Sequence, residues 1–113
     1  MSATVWAVDR EMSLAWKLLW LETDMYPQGK DLYDAALLAE QTNLSPQLLL
    51  RVLRSSGEWH GSRESLAPDF PMQWRVDWDN FKLEHPQAEG EAKNWQLRLN
   101  NALSFMFAEK NEI

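Results

Sequence analysis

The 113-residue chain contains no cysteine, which removes disulfides, thiolate nucleophiles and cysteine-based zinc sites together and makes the cytoplasm the natural compartment. Its four glycines stand apart, so there is no glycine-rich loop to cradle phosphates. The two histidines, His60 and His85, would have to meet each other and carboxylates to hold a metal, and nothing in their spacing brings them together. No cofactor is implied. The most apolar stretch, "LAWKLLWL", is far short of the roughly 20 residues of a membrane span, so no membrane partner is expected. The opening "MSATVWAVDREMSLAWKLLWLE" has acids ahead of its apolar residues and no small-residue cleavage site, and does not read as a signal peptide.

A basic excess is also missing, with 11 Lys and Arg against 17 Asp and Glu and a net charge of -6. The distribution is uneven. Residues 1–44 carry seven acids and three bases, whereas residues 45–63 carry Arg51, Arg54 and Arg63 against the single acid Glu58.

What the chain has in quantity is apolar bulk: 45% hydrophobic residues and seven tryptophans, enough for the core of one domain. The lead "TVWAV" reads as an edge strand. Ser13 then caps a first helix with Leu14, Leu18, Leu21 and Met25 on one stripe, widened by Trp16, Leu19 and Trp20, and Pro27 and Gly29 end it. A second helix is expected from Asp34 as N-cap through "AALLAEQT". Ser45 caps a third, with Pro46 at its first position and Gly57 beyond its end.

Further on, "EWHGSRE" and "MQWRVDWDN" have strand character. In the second, Trp74, Val76 and Trp78 alternate with Gln73, Arg75, Asp77 and Asp79, the period of a half-buried strand. With "SLAPDFP" between them they read as a two-stranded hairpin. A last helix from about residue 88 places Trp95, Leu99, Ala102 and Met106 on one stripe, with Leu103 beside it.

The order helix, helix, turn, helix, hairpin, helix predicts a mainly α fold with a small β-hairpin. In "DAALLAEQTNLSPQLLLRVLRSSG", Ala39 is the small residue at a helix crossing and Asn43 takes a left-handed turn. Leu44 fills beneath that turn, and Leu49, Val52 and Leu53 face inward. With the strand "WRVDWDNF", these residues resemble the winged helix-turn-helix family of DNA-binding domains, in particular small prokaryotic and phage regulators and replication-associated proteins. The resemblance implies a winged domain over residues 1–85 and a C-terminal helix over 86–113.

The resemblance further implies a transcriptional regulator or replication-associated factor whose third helix enters the major groove of double-stranded DNA. By position, the DNA-facing residues are Gln47, Leu48, Leu50, Arg51 and Arg54, with Arg63 as a further local cation. A homodimer would double this thin set of cations, and the stripe Trp95, Leu99, Ala102 and Met106 either pairs two subunits or packs on the first helix. The alternative is a protein-binding adaptor or inhibitor on the same fold, with Leu48 and Leu50 as anchors in a partner's groove.

An enzyme is not expected. Asp77 and Asp79 would share one face of a strand and could chelate a divalent ion, yet no third acid accompanies them, and a polar strand face is the plainer reading.

Overall fold

In the computed structural model, which describes residues 3–57 and 69–111 and the side chains of 10–57 and 69–105, the secondary structure is helical. Among the described residues the helices are α1 (Ala3–Thr23), α2 (Gly29–Gln41), α3 (Pro46–Ser55), α4 (Trp78–Glu84) and α5 (Ala92–Asn111), with a 3-10 turn at Phe70–Gln73.

The lead "TVWAV" is part of α1 rather than a strand, and Ser13 lies inside that helix instead of capping it. Leu14, Ala15, Leu18, Leu19 and Leu21 are buried, so α1 turns a broad face to the core. Met12, Trp16, Trp20 and Met25 remain exposed. Trp16 and Trp20, one turn apart, stand with ring centroids 6.4 Å apart on the outer side.

α2 begins at Gly29, five residues before the expected cap at Asp34, because Pro27 and Gln28 already supply the extended entry a helix needs. Its buried side is built of small residues, Gly29, Ala35, Ala36 and Ala39 around Leu32. Neighbouring backbones therefore approach closely, and α2 packs on α1, α4 and α5. Leu32, Leu44 and Leu99 have no measurable exposure, and each fully buried leucine contributes about 1.5–3 kcal/mol.

α3 starts as its sequence predicts. Pro46 occupies the first turn, and the Ser45 hydroxyl accepts the Leu48 N–H at 3.1 Å. The Ser45 N–H in turn donates to Glu11 Oε1 at 2.9 Å, fastening the start of α3 to α1. The connection from α2 is extended at Thr42, and no non-glycine residue has a positive φ among the described residues. Asn43 therefore does not make the left-handed turn on which the helix-turn-helix resemblance depended.

The hairpin is also absent from the described residues. Its first arm, "EWHGSRE", lies outside them. The second arm is broken into the 3-10 turn, an extended stretch and α4, whose first residue is Trp78. The alternation of burial is nevertheless present: Trp78 is buried, Trp74 and Val76 are half-buried, and Gln73, Arg75, Asp77 and Asp79 are exposed. Among the described residues the stretch has no partner strand and pairs once, at an isolated bridge between Gln28 and Asp77. The fold is thus all-helical among the described residues, and the expected wing is corrected.

The stripe on α5 is largely covered by its own chain. Trp95 and Leu99 are buried, Ala102 is half-buried, and the Met106 side chain lies outside those described. α5 packs on α2 and on the 3-10 turn, not on the first helix as the packing alternative had it, and this packing covers Trp95 and Leu99. The buried Gln96 amide donates to the Pro71 and Trp74 carbonyls at 2.6 and 3.1 Å, which ties the 3-10 turn to α5. Residue 85, the expected boundary, is the C-cap of α4.

Candidate functional site

Charged side chains converge where α1 crosses the first turns of α2. Lys17, from α1, places its ammonium 3.6 Å from Asp31 and 3.4 Å from Asp34, and Lys30 reaches Asp34 at 2.7 Å. Asp31 and Asp34 are three residues apart and so lie on one face of α2, toward α1. Lys17 and both aspartates are half-buried, whereas Lys30 is exposed. The hydrogen bond and charge of Asp34 raise the Lys30 pKa above the ordinary lysine value, so its ammonium is secured at all physiological pH.

Lys30 breaks a local rule. The first turn of a helix carries partial positive charge and favours acids, as Asp31 illustrates, while a lysine there is opposed by the dipole. Departures of this kind concentrate at functional sites.

Two cavities flank the cluster. One, of about 360 Å³, is lined by Trp20, Thr23, Asp24, Gln28 and Asp31. The other, of about 220 Å³, is bordered by Gly29, Lys30, Asp77, Asn80, Phe81 and His85. The Asp77 carboxylate that rims it accepts the Asn80 N–H and side-chain amide, at 3.5 and 2.9 Å, and so serves as the N-cap of α4. Asp77 and Asp79 are therefore helix-start residues rather than a strand-borne chelating pair.

An aromatic cluster beneath the second cavity joins α2, α4 and α5. The Tyr33 ring lies 4.8 Å from Trp95 and 5.4 Å from Phe81, and Trp78 lies 5.0 Å from Phe81. The indole N–H groups of Trp78 and Trp95 donate to the Gly90 and Glu89 carbonyls at 3.0 and 2.8 Å, satisfying buried donors. Outside it, Arg98 covers the Trp95 ring at 4.7 Å and holds Glu40 through two hydrogen bonds of 2.5 and 2.8 Å. These contacts lock the packing of α5 on α2.

The residues expected to face DNA lie elsewhere. Gln47, Arg51 and Arg54 are exposed on α3, while Leu48 and Leu50 are half-buried and Leu48 packs against the core. Arg63 lies outside the described residues. None of the five described residues belongs to the charged cluster. The cluster has little local signal, because Asp34 also fits the position of a helix N-cap. The Lys30 and Asp34 spacing of four was visible in "GKDLYD", but the approach of Lys17 is a tertiary contact with no local signal.

Nucleic acid and nucleotide chemistry commonly uses divalent cations held by carboxylates. Among the described residues no three of His, Cys, Asp or Glu stand together as a metal seat, and Asp31 and Asp34 both face lysines. These residues do not by themselves fit such an ion. No helix among the described residues is long and apolar enough to cross a membrane.

The model of the family described as nucleotidyl transferase AbiEii toxin, type IV TA system, matches residues 1–102, and the chain belongs to that family. No curated protein and no solved structure matches it. The match overturns the winged-helix resemblance, and with it the expectation of a DNA-reading regulator or non-enzymatic adaptor, since the family is one of nucleotidyl transferase toxins.

Proposed function

Taking membership of the AbiEii family as premise, we propose that the chain serves nucleotidyl transfer in a toxin of a type IV toxin–antitoxin pair, and that the Lys17, Lys30, Asp31 and Asp34 cluster meets the nucleotide's phosphates. The counterpart is then a protein antitoxin, and the cysteine-free composition supports action in the cytoplasm.

The observation that carries this reading is the convergence of two lysines on two aspartates in three ion pairs at one helix crossing. Phosphoryl and nucleotidyl transfer ask a protein for positioning and for positive charge against the phosphate oxygens rather than for covalent chemistry. A lysine ammonium supplies such a charge as a point donor. In this cluster the aspartates hold both ammoniums extended toward the crossing before any phosphate arrives, which lowers the ordering cost of binding. The half-buried setting of Lys17 reduces screening by salt. Carboxylates for a catalytic cation would have to come from outside the described residues, and no step is assigned to one.

The test is transfer of label from α-phosphate-labelled nucleoside triphosphates to RNA or protein acceptors by the full chain, together with growth arrest on induced expression. Lys17→Ala and Lys30→Ala should each lower transfer by about 10- to 100-fold, the range for losing a hydrogen bond to a charged group. Transfer and arrest that persist undiminished in the double variant would overturn the assignment of the site. A chain that neither binds nor transfers any nucleotide would overturn the activity.

A further inference from the structure

Trp20 is the most exposed of three large apolar residues, with Met12 and Trp16, that the described part of α1 leaves uncovered. It is 49% exposed, although Leu14, Ala15, Leu18, Leu19 and Leu21 are buried. Its indole forms one wall of the cavity of about 360 Å³ whose other walls are Thr23, Asp24, Gln28 and Asp31. Asp31 is also a member of the charged cluster, so cavity and cluster are continuous.

We infer that this cavity seats the base of the nucleotide substrate, stacked on the face of Trp20, with the phosphates running toward Lys17 and Lys30. The inference rests on the cluster being the phosphate site. An exposed indole is a stacking platform that any base can use, because each base has a π-face. The opposite rim supplies the edge contacts that separate one base from another. The Gln28 amide both donates and accepts, and the Asp24 carboxylate accepts only. Asp24 Oδ1 accepts the Tyr26 N–H at 3.1 Å, which holds the carboxylate at the end of α1. The Thr23 hydroxyl donates to the Leu19 carbonyl at 2.8 Å and is thereby engaged within α1. Apolar face, amide and acid thus border one opening, and the ammonium-bearing crossing lies beside it. The Trp16 ring, one turn earlier, lies beside Trp20 with its centroid 6.4 Å away.

The experiment is calorimetric titration of the full chain with ATP, GTP, CTP and UTP, and separately with inorganic tripolyphosphate, which has the phosphates but no base. Trp20→Ala should weaken the best-bound nucleotide roughly 5- to 150-fold, equivalent to about 1–3 kcal/mol, and leave tripolyphosphate unchanged. Trp20→Phe should restore most of the loss. If Trp20→Ala binds that nucleotide as the parent does, the base site is overturned while the phosphate site stands. Tripolyphosphate bound by the parent with no preference for any nucleotide over it has the same meaning. If the parent binds none of the five, the phosphate site falls and the base site with it. Far-ultraviolet circular dichroism of each variant distinguishes a lost contact from a lost fold.

Discussion

Gly29 and Phe81 meet so closely that no side chain fits between them. A Cβ on Gly29 would lie 2.6 Å from the Phe81 Cβ and 2.9 Å from the Asp77 carbonyl oxygen. The same backbone is clamped by two hydrogen bonds, Gly29 N–H to the Asp77 carbonyl at 3.0 Å and Asp77 N–H to the Pro27 carbonyl at 2.8 Å. The start of α2, which carries Lys30 and Asp31, is thereby fixed against α4. Gly29→Ala should force the two helices apart and destabilise the protein by about 1–3 kcal/mol, the range for overpacking. Chemical denaturation measures the loss, and an unchanged midpoint would contradict the close approach.

Leu99 bears on the oligomeric state. It is fully buried in the chain's own core, so Leu99→Ala should cost about 2–5 kcal/mol. That loss should not depend on protein concentration. A midpoint that shifts with concentration in the parent and ceases to do so in the variant would return Leu99 to an interface between subunits.

Gln96 is a polar residue spent on two backbone carbonyls. Gln96→Leu removes both hydrogen bonds and leaves the Pro71 and Trp74 carbonyls without this donor, at a cost of about 1–3 kcal/mol. Hydrogen exchange should show the loss in the 3-10 turn before it reaches α2.

Glu22 gives the protein a pH dependence of definite sign. Burial raises its pKa above the ordinary glutamate value, and the hydrogen bond from the Trp74 indole, 2.8 Å long, offsets this only in part. The folded state therefore binds the proton more tightly than the unfolded chain, and this residue's contribution to stability falls as pH rises from the ordinary glutamate pKa through the raised one. Glu22→Gln keeps an acceptor for the indole and removes the charge. It should be at least as stable as the parent at pH 7, and its advantage should shrink as the pH falls through the raised pKa toward the ordinary glutamate value. A parent that instead gains stability relative to Glu22→Gln as pH rises would reverse the sign.

Much of the packing was legible in the sequence, and little of the site. The Ser45 and Pro46 start of α3, the inward Leu49, Val52 and Leu53, and the alternation through Trp74, Val76 and Trp78 follow from local chemistry and appear as read. The alternation was nevertheless assigned to a hairpin, because burial of every second residue fits any extended segment lying on a core, and only a partner strand makes it a sheet. Asn43 misled for a related reason: the residue tolerates a left-handed turn without requiring one. The charged cluster depends on Lys17 reaching across to α2, and its meaning depends on a family signal that no short motif in this chain displays.

The central place of α2 has a consequence for synthesis. One side of this helix is covered by α1, which precedes it, but the side around Tyr33 waits for Trp95 on α5, some sixty residues later in the chain. At about 5–20 residues per second, several seconds separate the emergence of the two helices from a ribosome. Through that interval the Tyr33 side of α2 lacks the cover that Trp95 gives it in the finished fold.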